Sequence, residues 1–354
     1  MRILFFTCGP DVTASSRARV YQYLPYLRRE GIRSWVIPVT PRVLARKIAN
    51  NIKLGLLERT YGKIYNSLCL LCFIMLAPFF DVLFIQKVIL PLPLVRLIGW
   101  VNKRLIFDFD DAVFMPQNAT AGLTQAQDQR SAAFLRYARQ VVVSNDFLSD
   151  ELLRAGCANV SILSTPVDVN RFSARTGGSS GPTVIGWIGS PWTARYLFDL
   201  KSVFEALAEK YPDLRFEFIG ADDFCRGLKG YTVKEWSFAR EAQDLRGFDI
   251  GIMPLRDDQW CRGKAGYKLL QYMASGIATI SSPVGVNRQI VVQGVNGLLA
   301  ASPEEWLEGF CLLINDPELR GALGRGGRKT AQESYSYEVN SPKLIDILKR
   351  VAKK

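Results

Sequence analysis

Along the 354 residues, short uninterrupted apolar runs alternate with longer stretches in which apolar positions recur at helical spacing. That alternation predicts parallel sheets whose strands are joined by crossover helices. The runs at 2–7, 34–39, 82–86, 104–109, 140–144 and 160–163 form one set of predicted strands. A second set lies at 183–188, 214–219, 230–233, 248–253, 278–281 and 297–300. Each set suffices for an open sheet, so the expected fold is α/β, with two Rossmann-like doubly wound domains facing each other across a cleft. The uncharged, turn-rich stretch Thr176-Gly-Gly-Ser-Ser-Gly-Pro182 reads as the linker. The expected domains are therefore 1–175, linker 176–182, 183–338, and a C-terminal helix 339–354 packing back on the first domain. Open α/β sheets bind ligands beyond the carboxyl ends of their strands, which directs attention to the loops there.

One stretch departs from the alternation. Over 42–63, Arg42, Arg46, Lys47, Lys53, Arg59 and Lys63 are set among Val43, Leu44, Ile48, Ile52, Leu54 and Leu57, and the apolar run Leu68–Phe80 follows. This predicts a basic amphipathic helix over 42–63. Either it inserts into an anionic membrane surface, or its apolar stripe packs on the protein's own core. The run 68–80 is shorter than the ~20 residues that cross a bilayer. Charge sharpens the picture. Residues 1–175 hold 22 Lys and Arg against 12 Asp and Glu, a net of +10, whereas 176–354 hold 23 against 21, a net of +2. A basic first half suits anionic partners, acidic lipid or phosphate among them. No RNA- or DNA-binding signature accompanies it, so nucleic acid is not an expected partner. The first residues, Ile3-Leu-Phe-Phe6 followed by Cys8-Gly-Pro10, read as a strand and turn rather than a signal peptide. The expected location is the cytoplasm, peripheral at the inner face of the cell membrane.

The seven cysteines include a CxxC pair, Cys69 and Cys72, but it lies in an apolar run and the sequence has no histidine. Buried free thiols are expected there, and no metal site. Composition also offers no GxGxxG, so a nicotinamide or flavin enzyme lacks its phosphate fingerprint.

Three segments carry candidate chemistry. After the first strand, the loop from Cys8 leads into a helix near Ser16, with Ser15 or Ser16 as N-cap; Gly9, Ser16 and Arg17 are its candidate acceptor or phosphate loop. At the end of the strand 104–109, Asp108, Asp110 and Asp111 stand so close that they repel unless hydrogen-bonded, paired with cations or bound to metal. Asp110 is the candidate for sugar-hydroxyl binding, base catalysis or ion binding, against a competing role in capping the turn. The third is Trp260–Ala300. Arg262 and Lys264 precede a helix starting near Gly266, where charge and helix dipole suit a diphosphate. Gly263 and Gly266 would let backbone approach the ligand. Gln271 is a polar residue in an otherwise apolar helix, placed to bond a ribose.

In this order the motifs resemble those of the retaining nucleotide-sugar glycosyltransferases of the GT-B fold, group 1 or family 4 type. Pro166-Val-Asp168-Val-Asn-Arg171-Phe172 resembles the family's element before the interdomain linker. Gly186-Trp-Ile-Gly-Ser190 and Phe216-Glu-Phe-Ile-Gly220 resemble the first two strands of its donor domain. Leu270-Gln-Tyr-Met-Ala-Ser-Gly276, Ser281-Ser-Pro-Val-Gly285 and Gly294-Val-Asn-Gly297 resemble its donor helix and following turns. The resemblance spans nearly the whole chain. It departs in three places: Gly263 and Gln271 stand where the family carries Glu-x7-Glu, Asp110 stands where it carries histidine, and Ser190-Pro-Trp-Thr193-Ala-Arg195 lacks its plain basic pair.

What the resemblance implies is transfer from a nucleotide sugar to a glycan or lipid-linked acceptor, with retained configuration, in cell-surface polysaccharide or glycoconjugate synthesis. Arg262, Lys264 and Asp110 are then the candidate catalytic residues, and Gly189, Ser190, Thr193, Gly220, Gly266, Tyr267, Lys268 and Gln271 the donor-binding ones. No cofactor or metal is expected. The missing acidic and histidine residues leave a rival reading, a catalytically inert nucleotide-binding or membrane adaptor on the same fold.

Overall fold

The structure is a computed structural model and describes residues 1–50, 52–113, 137–173, 181–221 and 229–353. It contains two compact units: Met1–Pro166 with Asp258–Ala265 and Tyr337–Lys354, and Val167–Asp257 with Gly266–Ser336.

The first unit is built on a six-stranded sheet of β1 (Arg2–Thr7), β2 (Arg33–Pro38), β3 (Val82–Gln86), β4 (Leu105–Phe109), β5 (Gln140–Val143) and β6 (Val160–Ile162), in the order β2-β1-β3-β4-β5-β6. All neighbours are parallel. Both faces of a parallel sheet are covered, so its strands are continuous apolar runs rather than alternating ones. Ile3, Phe5, Val82, Phe84 and Ile106 pack on one face with Leu344 and Leu348 of the helix Tyr337–Lys353. Phe6 points to the other face and meets Phe73, ring centroids 4.6 Å apart. Burying a leucine of the C-terminal helix contributes about 1.5–3 kcal/mol, and the Tyr337 hydroxyl anchors its start by donating to the Ala18 carbonyl at 2.8 Å.

The second unit has β7 (Val184–Ile188), β8 (Arg215–Ile219), β9 (Tyr231–Lys234), β10 (Ile250–Met253), β11 (Ala278–Ser281) and β12 (Leu298–Leu299), in the order β12-β11-β10-β7-β8-β9. Read from the other edge this is the 3-2-1-4-5-6 order of the dinucleotide-binding sheet. Phe216, Phe218 and Ile250 pack with Phe204 and Phe310 on one face. On the other, Gly251 has no side chain because the Tyr272 ring lies against it; a Cβ there would stand 2.5 Å from the ring. All twelve strands read from the sequence are present, with ends differing by at most two residues.

The unit boundaries differ from the sequence expectation of 1–175 and 183–338. Val167–Phe172 is held to the second unit: the Val167 amide donates to the Tyr335 carbonyl at 2.8 Å, and Arg328 Nη1 donates to the Phe172 carbonyl at 2.6 Å. Conversely Asp258–Ala265 groups with the first unit, where Asn145 Nδ2 donates to the Lys264 carbonyl at 3.0 Å. Of the expected linker 176–182, residues 176–180 lie outside the described residues, as does Cys225.

Nor is 42–63 one helix. Arg42–Ala49 and Leu56–Leu76 are separate, because Gly55 is extended and opens the second helix, with Glu58 accepting from its amide at 3.0 Å. The apolar run beginning at Leu68 is the far half of that second helix, continued by the turn Ala77–Phe79. Cys69 and Cys72 are consequently not buried: Cys72 is exposed and Cys69 half-buried.

Candidate functional site

In an open α/β sheet the crevice for a ligand opens where the strand order reverses. In the first unit that point lies between β1 and β3, and the side chains beyond the two strand ends are joined in one network. Ser16 Oγ donates to Gln86 Oε1 at 2.9 Å and accepts from the Gly9 amide at 3.1 Å. Gln86 Nε2 donates to Ser15 Oγ at 2.7 Å, and Ser15 in turn donates to Asp110 Oδ2 at 2.5 Å. Lys87 Nζ lies 3.1 Å from Asp110 Oδ1 and is also paired with Asp111. Burial by itself lowers the Lys87 pKa, but the two carboxylates outweigh it and hold the ammonium well above its ordinary value. Lys87 has φ 54°, the one positive value among the described non-glycine residues, a conformation costing about 1–2 kcal/mol for a residue with a Cβ. Such strain at a strand end aims a side chain where the relaxed backbone would not.

Each of the three aspartates thus has its own cationic or hydroxyl partner. Asp108, fully buried, is bound by Arg19 through Nε at 3.0 and 3.2 Å and through Nη2. Burial lowers the guanidinium pKa, yet the attraction of Asp108 exceeds it and raises the value, so Arg19 stays charged. Among the described residues no three His, Cys, Asp or Glu side chains are grouped to hold a metal ion.

One expectation for this loop is corrected. The N-cap is Thr13, and Ser15 and Ser16 are the second and third residues of the six-residue helix Ala14–Arg19, committed to Asp110 and Gln86. Arg17 is buried, with Nη1 donating to the carbonyls of Asp11 and Val12 at 3.3 Å.

In the second unit the reversal lies between β7 and β10. The helix Tyr267–Ala274 crosses there and is fixed by Tyr272, whose hydroxyl accepts from the Ile188 amide at 3.0 Å and donates to the Ile252 carbonyl at 3.3 Å. One turn earlier, Lys268 extends beside the end of β7. Its Nζ donates to Thr193 Oγ1 at 3.2 Å and sits 5.1 Å from the centre of the Trp187 ring. Thr193 is itself oriented by Ser190, whose amide donates to Oγ1 at 3.2 Å. Gly189 must be glycine: a Cβ would stand 2.7 Å from Lys268 Cε and press on Trp187. Gly220, at φ 72°, lies against the Gly189 carbonyl. Gln271 is 3% exposed and its Nε2 has no hydrogen-bond partner; a buried donor left so costs about 1–3 kcal/mol, which an acceptor on a ligand would recover.

The expected donor residues Gly189, Ser190, Thr193, Gly220, Gly266, Tyr267, Lys268 and Gln271 therefore all lie in the second unit. Arg262 and Lys264 do not: they belong to the first unit, on and just after the short helix Gln259–Arg262, with Lys264 Nζ 5.5 Å from the Trp260 ring. The glycines of this segment also serve packing. Gly263 lies against Ala112, and Gly266, at φ 69°, against Ile290. Sequence reading missed Lys87, Gln86 and Trp187. Lys87 and Gln86 sit at the carboxyl end of a predicted strand, the one signal that points to them.

Residues 182–316 match the family model described as glycosyl transferases group 1. An uncharacterized glycosyltransferase of Methanocaldococcus jannaschii is 29% identical over 143 residues, 37% of this chain and 39% of its own length. A second from the same organism is 30% identical over 91 residues, 25% of this chain and 23% of its own. The alignments thus span well under half of those relatives. Among solved structures, HepE of Anabaena in complex with UDP and glucose superposes with a TM-score of 0.71 at 14% identity, covering 99% of this chain and 100% of that one. Sucrose-phosphate synthase of Thermosynechococcus elongatus gives 0.71 at 13% identity, covering 99% of each. These likenesses establish the GT-B fold.

Proposed function

We propose that the protein transfers a sugar from a nucleotide-sugar donor to a glycan or lipid-linked acceptor, with retained configuration, in the synthesis of a cell-surface polysaccharide or glycoconjugate. The observation that carries this reading is the group around Lys268 in the segment that matches the group 1 glycosyltransferase model. A cation oriented by Thr193 over Trp187, backbone free of side chains at Gly189 and Gly220, and the buried donor of Gln271 suit a diphosphate and a ribose. The diphosphate is assigned to Lys268 in place of Arg262 and Lys264. In retaining transfer the acceptor hydroxyl attacks from the face the nucleotide leaves, and the departing diphosphate takes its proton. What the protein supplies is charge stabilisation of that leaving group, the role of Lys268. Asp110, held by Ser15 and Lys87, orients the acceptor hydroxyl or a sugar hydroxyl. HepE is complexed with UDP and glucose, which makes UDP-glucose the first donor to try.

The test is incubation of the full chain with UDP-, GDP-, ADP- and dTDP-sugars without acceptor. Slow release of the nucleoside diphosphate from one of them is expected. If none is hydrolysed or transferred while a nucleotide still binds, the inert adaptor reading replaces this one.

A further inference from the structure

The helix Leu56–Leu76 carries its apolar stripe on the wrong side for a helix that serves only to cover a core. Phe73 is its one buried residue, and Ala77 is buried in the turn that follows. Leu57, Ile64, Leu68, Leu71, Met75 and Phe79 recur at helical spacing and are all exposed, Leu57 to 86% and Met75 to 65%. A surface helix ordinarily turns such a stripe inward. From Ile64 to Phe80 there is no charged residue. The turn Ala77–Phe79 packs against the helix Leu92–Val101, which adds Trp100, 81% exposed, to the same unit's apolar surface.

With its turn, Leu56–Phe79 spans 24 residues, long and apolar enough to cross a membrane by length and composition. Its anchoring says otherwise. Near its start, Glu58 pairs with Lys47, and Gly62 lies against Leu44, a buried residue of the neighbouring helix. Towards its end the Phe73 ring meets Phe6 of β1 at a tilt, and Asp81, just past the turn, accepts from the Arg2 amide at 2.6 Å before β3 begins. Its start is tied to the helix Arg42–Ala49 and its end to the sheet of the same unit, so the helix lies along the unit instead of leading away from it.

We propose that this helix lies in the plane of an anionic lipid bilayer, its outward stripe among the acyl chains and the basic residues of 42–63 at the headgroups. Charge decides against a second copy of the chain as the occupant. Residues 42–80 contain Arg42, Arg46, Lys47, Lys53, Arg59 and Lys63 but one acidic residue, Glu58, so two copies meeting there would repel, whereas anionic headgroups complement the excess. The proposal rests on no assumption about the reaction.

Flotation of the full chain with vesicles of phosphatidylcholine, alone or mixed with phosphatidylglycerol, tests it. Binding to the mixed vesicles is expected, falling at least ~10-fold in Arg59→Glu/Lys63→Glu, since each basic residue near such a surface is worth about a factor of five. Leu68→Glu/Leu71→Glu should abolish binding with an unchanged melting temperature, because both side chains are exposed. Fluorophores placed singly at Leu57→Cys, Leu68→Cys and Phe79→Cys, with Cys69 and Cys72 replaced by alanine, should be quenched alike by shallow spin-labelled lipid. Graded quenching along the helix would mean a crossing and overturn the in-plane placement. Absence of flotation, or a dimer in sedimentation that Leu68→Glu/Leu71→Glu dissolves, would overturn the lipid assignment.

Discussion

Arg19→Ala is expected to lower the stability of the first unit by about 3–5 kcal/mol, the cost of removing one partner from a buried ion pair. Arg19 and Asp108 side chains are both fully buried. Besides its contacts to Asp108, Arg19 Nη1 donates to the Leu163 carbonyl at 2.5 Å, tying β4 and the end of β6 to the first helix. Alanine leaves a carboxylate and a carbonyl without their donors in a dry interior. The double variant Arg19→Met/Asp108→Leu should be appreciably more stable than Arg19→Ala, because replacing a buried pair by apolar groups of similar volume is close to neutral. Urea unfolding followed by circular dichroism separates the two. If Arg19→Ala unfolds at the wild-type midpoint, the pair is not the support of the site that its geometry indicates. The same loss would reach function, since Asp108 on β4 lies two residues before Asp110, just past the end of that strand.

The second large effect is catalytic. Lys268→Met should reduce kcat/KM for the donor by about 10- to 100-fold, the scale of a charge-assisted hydrogen bond of about 1.5–3 kcal/mol. Methionine keeps an apolar stem over Trp187, so the change isolates the charge, and the half-buried position predicts little change in melting temperature. A fall in kcat with little change in KM would place the interaction in the transition state, as stabilisation of a leaving diphosphate requires. Lys264→Ala provides the comparison. A larger loss there than at Lys268→Met would return the diphosphate to the loop Arg262–Lys264.

Both sheets were legible in the sequence because parallel strands buried on two faces leave continuous apolar runs, as in Ile3–Phe6 and Val82–Ile85. The glycosyltransferase-like segment was legible too, through glycines at turns and the Gln271 position in an apolar helix. What was hidden depends on the third dimension. Nothing local reveals that Asp258–Ala265, flanked on both sides by second-unit sequence, groups with the first unit through Asn145 and Ala112. Lys87 reads as an ordinary loop lysine until its left-handed backbone and two carboxylate partners are seen. The periodicity of Leu56–Leu76 announces a stripe but not its direction, and the direction changes its meaning from core to surface. Ser16 shows the converse: a hydroxyl at a helix start reads as part of an anion site, whereas it donates to Gln86 and accepts from the Gly9 amide.

The central claim is that the second unit binds a nucleotide sugar's diphosphate at Lys268 and Thr193. Isothermal titration of the full chain with UDP, GDP, ADP and dTDP measures this directly. The account predicts saturable binding of at least one of them, weakened at least ~10-fold by Lys268→Met, as expected for a lost charge-assisted contact. Heat traces without binding for all four nucleotides, or equal affinity in wild type and Lys268→Met, would contradict it.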